Sequence, residues 1–212
     1  MSLVTDYVLP EGAVFCYARK HSAPTSIRFA DGTNIPYKIY TVWRDMMRRA
    51  VWNTSSQNSD KKYYGDCEVA DFFQDYFNFY EWSKKQFGFN KLDIDGKIFT
   101  IDKDILSTDR GYFPENVVFV PRVINNFFYK NRNCSFMRGV AKPAKDKKYI
   151  AQISMHNIVK SIGRFDTELE AHIAYCKAKN EYGRELAQIY KDHIDPRVYE
   201  RLMNFDAQKE FS

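Results

Sequence analysis

The sequence predicts an α+β protein built from two modules. Over residues 97–128, two short apolar segments precede a helical pattern, which is the order strand, loop, strand, helix. Over residues 137–183, three short alternating segments precede one long helical pattern. We therefore expect a ββα unit with flanking helices, followed by a three-stranded antiparallel sheet packed on one helix.

Composition limits the classes of protein that fit this chain. Its 212 residues are enough for one large domain or two small ones, and 15 Tyr and 17 Phe argue against disorder over most of the length. The four cysteines form no Cys-x-x-Cys pair, which argues against zinc ribbons and a disulfide framework. No signal segment or apolar run of about 20 residues is present. A soluble intracellular protein with no membrane partner is expected.

Positive charge is concentrated in one stretch of the chain. The formal net charge is +5, and residues 138–164 alone carry seven bases and one acid, a net charge of +6. The rest of the chain is therefore close to neutral. A small sheet with this much positive charge commonly binds the phosphate backbone of nucleic acid.

Polar and basic stretches divide the chain into four predicted segments. They are an N-terminal strand and turn region over 1–36, the first module over 37–130, the second module over 136–186, and a C-terminal helical tail over 187–212. No chemistry is assigned to the first of these segments, and the tail is expected either to dock or to fray.

Two helices are expected early in the first module. An apolar stripe that includes Trp43 predicts a helix beginning near Tyr40. A polar loop is expected over 53–60, and aromatic residues at helical spacing predict a second helix over 69–87. The wide aromatic face of the second helix indicates a core role.

The second half of the first module reads as strands and a short helix. Asp95-Gly96 is a hairpin-turn signal within an alternating segment. The apolar run 117–120 predicts a strand, and Pro121 suits the first turn of the helix that follows.

Alternation and capping define the second module. Within 149–154, the period of two sends Ala151 and Ile153 toward the helix and leaves Gln152 and Ser154 on the opposite face. Ser161 is expected beside them on the next strand. Thr167 opens a capping box, which predicts the start of the helix, and Gly183 is a predicted stop.

The second module resembles the APETALA2-type DNA-binding domain of plant transcription factors and phage-encoded homing endonucleases. The resemblance is carried by Arg138-Gly-Val140, Ala151-x-Ile153, Ile162-Gly-x-Phe165 and the Thr167–Tyr175 pattern. In that family the sheet lies in the major groove of double-stranded DNA and the helix packs behind it. The residues expected to contact DNA are Arg138, Lys142, Lys145, Lys148, Gln152, Ser154, Lys160, Ser161 and Arg164. The cations would hold phosphates and Gln152 would read an adenine edge.

The first module resembles the HNH nuclease motif in the degenerate form found in phage-borne homing endonucleases. Asp102, Asn116 and Asn125 occur in the family order with compatible gaps. The resemblance implies that Asp102 and Asn125 hold a metal ion and that Asn116 holds the connecting loop. Lys103 stands where the family has its general base, a histidine, and a protonated lysine does not take a proton from water.

The lysine leaves two interpretations of this centre open. In one, the nuclease centre is degenerate and binds no metal. In the other, Asp102, Asp104 and Glu115 form a carboxylate cluster that binds Mg²⁺ and activates water without a histidine. The scattered histidines show no partner at ligand spacing and offer no replacement base.

Three functions follow from these patterns. The first is a site-specific DNA-binding protein derived from a phage homing endonuclease, which acts as a repressor or regulator in the cytoplasm of a bacterial host. The second is an active Mg²⁺-dependent HNH-type endonuclease. The third is an RNA-binding protein, which the lack of a stacking signature on the strands disfavours. Whether the protein forms a homodimer on a palindromic site is left open.

Overall fold

The fold described here is that of a computed structural model. It describes residues 4–17, 22–51, 67–129, 135–144, 146–156 and 158–211. The chain contains helices together with several antiparallel strand pairings, which confirms the predicted α+β class. The expected loop over 53–60 and most of the stretch between the predicted modules lie outside the described residues.

The chain divides into two compact units. The first comprises 1–122 and 193–195, and the second comprises 123–192 and 196–212. This division falls earlier than the predicted module end at residue 130. The reason is that the helix after Pro121 packs into the second unit, where the Phe127 ring lies 4.8 Å from that of Phe205 and 6.0 Å from that of Tyr182.

In the part that the structure describes, the first unit consists of short strands and three helices. Its strands are β1 (Thr5–Asp6), β2 (Val14–Tyr17), β3 (Pro24–Arg28), β4 (Asn34–Pro36), β5 (Glu68–Val69), β6 (Lys91–Leu92), β7 (Thr100–Asp102), β8 (Gly111–Tyr112) and β9 (Val118–Val120). Its helices are α1 (Lys38–Ala50), α2 (Asp71–Gln74) and α3 (Tyr76–Ser83). Strands β2, β3 and β4 form an antiparallel sheet, β7 pairs antiparallel with β9, and β5 pairs parallel with β8.

The helix expected over 69–87 is broken into two. Asp75 has extended backbone and its carboxylate accepts the Asn78 amide at 3.1 Å, so it caps α3 at the N-terminus. The expected aromatic core role holds only in part: Phe73 and Phe79 are fully buried with ring centres 5.3 Å apart, whereas Phe72 is 48% exposed. The Trp43 indole, from α1, donates to the Phe73 carbonyl at 2.8 Å.

The second unit contains the predicted sheet and helix. Its strands are β10 (Val140–Ala141), β11 (Tyr149–Met155) and β12 (Ile158–Phe165), in the order β10-β11-β12 and antiparallel throughout. Its helices are α4 (Arg122–Phe128), most of which belongs to this unit, α5 (Glu168–Tyr190), α6 (Pro196–Met203) and α7 (Ala207–Glu210). The sheet packs on α5 through all three strands.

Helix α5 runs past the predicted stop at Gly183. A Cβ at this glycine would lie 2.9 Å from the Phe127 ring and 3.3 Å from the Leu202 carbonyl oxygen. The residue is therefore required for close packing of α4 and α6 on α5, and it does not end the helix. The C-terminal tail docks through α6 and α7, and the Asn180 side chain accepts the Ala207 amide at 2.9 Å.

Candidate nucleic-acid interface

The face of the sheet turned away from α5 is polar at its centre. Ala151 and Ile153 are buried, whereas Gln152 and Ser154 are exposed, as the alternation predicted. In the register of β11 with β12, Gln152 lies directly opposite Ser161, which is also exposed. The structure therefore brings these three uncharged polar side chains onto one exposed surface, which we call the polar face.

A capped helix supports this face from behind. The Thr167 hydroxyl accepts the Glu170 amide at 3.2 Å, and the Glu170 carboxylate accepts the Thr167 amide at 3.1 Å. Both hydrogen bonds satisfy amides that the first turn of a helix otherwise leaves without partners. The predicted start of α5 is confirmed, and the sheet packs on a helix whose first turn is capped.

Two of the expected cations form ion pairs beside the polar face. The Lys148 ammonium lies 3.1 Å from the Asp166 carboxylate, and an Arg164 guanidinium nitrogen lies 3.0 Å from the Asp146 carboxylate. The side chains of Lys148 and Arg164 remain 50% and 64% exposed. Both cations can reach solvent, and each can exchange its acid for a phosphate.

The other expected lysines have different positions. Lys160 is exposed but lies opposite Ile153, which places it on the side of the sheet that carries α5, at the outer edge strand. The Lys142 ammonium lies 4.2 Å above the Tyr149 ring. Lys145 lies outside the described residues. Of these lysines, Lys160 is therefore not on the polar face.

Arg138 is placed inside the second unit and away from the polar face. Its guanidinium donates to the Tyr129 carbonyl and lies 4.4 Å from the centre of the Phe211 ring. Arg138 is half-buried and packs against a C-terminal residue of the chain, and its expected contact with DNA remains a prediction. Sequence spacing alone gave no sign of this, since Phe211 is far away along the chain.

Asp102 uses its carboxylate to hold the backbone that follows β7. One carboxylate oxygen accepts the Asp104 amide at 2.8 Å and the Ile105 amide at 2.9 Å. Burial raises the pKa of Asp102, and the two amides and the Lys103 ammonium act in the opposite direction. The observed role is local turn formation, which leaves the other oxygen for any further partner.

Lys103 is held by a carboxylate. Its ammonium lies 2.5 Å from the Asp104 carboxylate, and its side chain is only 11% exposed. The ammonium also lies 5.8 Å from the centre of the Tyr112 ring. The side chain in the expected base position is therefore engaged by a carboxylate and lies near an aromatic ring.

Asn116 closes the loop between β8 and β9. It is 3% exposed, its amide oxygen accepts the Phe113 amide at 3.0 Å, and its amide nitrogen donates to the Gly111 carbonyl at 3.0 Å. This is the loop-holding position that the HNH resemblance implied for this residue. Both polar atoms are occupied by the backbone, so Asn116 has a structural role here.

The remaining residues of the expected metal centre lie on separate elements of the chain. Asp104 and Glu115 are exposed, and Asn125 is half-buried on α4, in the second compact unit, while Asp102 belongs to the first. Within the described ranges, no group of three or more His, Cys, Asp or Glu side chains is placed to hold a metal ion. The three-carboxylate cluster expected of Asp102, Asp104 and Glu115 is therefore not formed among the described residues.

The sequence analysis did not predict one pair of potentially reactive side chains that lie in contact. The His172 Nδ1 atom lies 2.8 Å from the Arg138 carbonyl oxygen, and its Nε2 lies 3.4 Å from the Cys176 Sγ. A carbonyl only accepts hydrogen bonds, so Nδ1 carries the proton and Nε2 faces the thiol. The signal in the sequence is the i, i+4 spacing on a helix.

This pair is structural. His172 and Cys176 are 5% and 2% exposed, and burial raises the pKa of Cys176 to about 11. A buried thiol with a raised pKa is a weak nucleophile, which favours a structural role for this pair. The pair ties the Arg138 carbonyl, just before β10, to α5.

No described helix has the length and apolar character needed to cross a membrane. A scan against protein-family models and searches of curated proteins and solved structures found no match to this chain.

Proposed function

We propose that this protein binds double-stranded DNA through the polar face of β11 and β12 and acts by occupying its target site, as a repressor or regulator. The observation that carries the proposal is the pairing of Gln152 with Ser161 on an exposed, rigidly backed sheet whose margins hold Lys148 and Arg164. Uncharged side chains at the centre suit base edges, and cations at the margin suit phosphates.

The resemblance to homing endonucleases from phage supports the same proposal. It makes the protein a descendant of a mobile element, at work in the cytoplasm of a bacterial host, with a nuclease scaffold retained around a degenerate centre. The ion pair of Lys103 with Asp104 favours binding without cleavage, because it engages the side chain in the expected base position with a carboxylate.

The test is a salt titration of binding to a duplex of mixed sequence, followed by fluorescence anisotropy. Lys148→Ala and Arg164→Ala should each weaken binding and reduce the slope of log K against log salt concentration by about one per lost phosphate contact. The matched controls are Lys177→Ala and Arg184→Ala, which remove the same charges from exposed positions on α5. Equal effects of test and control variants would contradict this interface.

Substitution of the acids that pair with these cations should have the opposite effect on DNA affinity. Asp146→Asn and Asp166→Asn should each tighten binding to all duplexes, because they release Arg164 or Lys148 and remove a negative charge from the interface. Asn at 146 keeps the oxygen that accepts the Lys148 amide at 3.1 Å, so the local turn is preserved. Weaker binding by both variants would place the DNA elsewhere on the protein.

The second candidate is an Mg²⁺-dependent endonuclease. It is favoured by the antiparallel pairing of β7 with β9 and by the loop that Asn116 closes between β8 and β9, which match the scaffold of the HNH resemblance. Nicking of supercoiled DNA with Mg²⁺ or Mn²⁺, and with EDTA as control, tests it. Metal-dependent nicking that is lost in both Asp102→Asn and Asn125→Ala would establish the nuclease and overturn the repressor proposal.

A further inference from the structure

The centre of the polar face lacks the side chains that read guanine. Gln152 lies opposite Ser161, and Ser154 lies opposite Val159, so none of these four residues is charged. Guanine is most often read by arginine or lysine through its O6 and N7 atoms. Arg164 shares this side of the sheet through its pairing with Ile150, but it is held by Asp146 at 3.0 Å. In the proposed interface Arg164 exchanges Asp146 for a phosphate, so it is not assigned to a base edge.

An aliphatic side chain stands exposed on the same surface. Val159 is 65% exposed, and its partner Ser154 shows that it points to the side of Gln152. In the major groove, the apolar group available for contact is the C5 methyl of thymine. An exposed valine among groups suited to base edges is therefore complementary to thymine.

Gln152 completes this complementarity. Its side-chain amide offers one acceptor and two donor hydrogens, which match the N6 donor and N7 acceptor of adenine. Gln152 and Val159 are diagonal neighbours in the register, on adjacent strands. An A·T-rich duplex presents adenine edges and thymine methyls together along one groove.

We infer that the DNA taken by this face is A·T-rich, with Gln152 reading an adenine edge and Val159 packing on a thymine methyl. This inference rests on the proposed DNA-binding function. It assigns base preference to the centre of the sheet, whereas the marginal cations provide affinity for any sequence.

The experiment compares three duplexes of equal length at one salt concentration. They are an A·T-rich duplex, the same duplex with deoxyuridine in place of thymidine, and a G·C-rich duplex. Wild type should bind the first most tightly and lose at least about fivefold in affinity on the second, which lacks only the methyl groups. Val159→Ala, which shortens the apolar contact, should lose less affinity than wild type on the second duplex, and Gln152→Ala should lose preference for the first over the third.

The matched control is Ile158→Ala. Ile158 is 61% exposed, but it lies opposite Met155 and therefore on the side of the sheet that carries α5. It should keep the wild-type response to deoxyuridine. The same response in Val159→Ala and Ile158→Ala would overturn the assignment of Val159.

The remaining outcomes separate this inference from the function on which it rests. Equal, salt-sensitive binding of wild type to all three duplexes would overturn the base preference and leave DNA binding intact. A preference for the A·T-rich duplex that is equally strong with deoxyuridine and with thymidine would overturn readout of the thymine methyl in the major groove. Failure to bind any duplex would overturn the proposed function itself.

Discussion

The ammonium of Lys179 lies 3.8 Å from the centre of the Phe127 ring inside the second unit. Lys179 is 6% exposed, and among the described residues no carboxylate pairs with it. The ring face stabilises the cation only in part, since a cation–π contact contributes about 1–2 kcal/mol. Burial, and secondarily Arg138, lowers the pKa of Lys179 to about 7.

Lys179→Met should therefore stabilise the protein. The unfolded state holds the Lys179 proton up to a pH near its ordinary pKa of about 10, whereas the folded state releases it near 7, so wild-type stability should rise with pH above 7. The variant should be more stable by roughly 2–4 kcal/mol below pH 7, with the difference shrinking as the pH rises. Urea unfolding between about pH 6 and 8 measures this, because that range lies below the ordinary thiol pKa of about 8.5, at which Cys176 titrates in the unfolded chain.

The control for this measurement is Lys177→Met, an exposed position on the same helix. It should leave stability and its pH dependence nearly unchanged. Parallel pH profiles for wild type and Lys179→Met would show that Lys179 keeps its proton in the folded state.

Gly139→Ala should strongly destabilise the second unit. Gly139 has φ +77°, and a Cβ there would overlap the Tyr175 ring. Gly96→Ala is the control, because Gly96 has φ +70° and a Cβ added there would meet nothing within 4 Å. The control should lose only the free energy needed to hold alanine in the left-handed conformation, about 1–2 kcal/mol. Thermal unfolding should separate the two variants clearly. Equal losses would mean that Tyr175 moves aside without cost.

Thr167→Ala should lower the free energy of unfolding by about 1 kcal/mol, because the cap of α5 loses its acceptor for the Glu170 amide. Thr167→Ser retains the hydroxyl and should stay close to wild type. Chemical unfolding of the two variants provides the measurement. A serine variant as unstable as the alanine variant would show that the methyl group, and not the hydrogen bond, matters at this position.

Asn116→Ala should destabilise the first unit by roughly 2–4 kcal/mol, since it leaves the Phe113 amide and the Gly111 carbonyl without their partner. Thr108→Ala, at an exposed position between β7 and β8, is the control and should have little effect. The readout is urea unfolding followed by tryptophan fluorescence. An Asn116→Ala variant of wild-type stability would mean that water replaces the amide in the loop.

Asp102→Asn should be as stable as wild type or more stable at neutral pH. The amide oxygen can still accept the Asp104 and Ile105 amides, and the buried charge is removed. The pKa of Asp102 is raised in the folded state, so ionisation of its carboxyl group lowers the free energy of unfolding at pH values above the ordinary carboxyl range. The difference in stability between the variant and wild type should vanish as the pH falls below about 4. Unfolding at two pH values tests this. A variant less stable at neutral pH would show that the carboxylate has a favourable partner.

Local patterns predicted what depends on neighbours in the chain. Alternation in 149–154 correctly separated Gln152 from Ala151, and the capping pattern located the start of α5 at Thr167. Gly183 was misread, because the reason for a glycine inside α5 lies in Phe127, more than fifty residues away. The single helix predicted over 69–87 is wrong because the Asp75 side chain accepts a backbone amide as an N-cap and so interrupts the helix.

The sequence by itself determined the α+β class, the sheet followed by a helix, the concentration of charge, and the face on which Gln152 stands. Each of these follows from periodicity, capping or composition, which act over a few residues. Only the tertiary structure decided that Arg138 packs against Phe211, that Arg164 and Lys148 face acids, and that Lys179 is buried against Phe127. These outcomes depend on which distant side chains packing brings together, and that is a property of the whole unit.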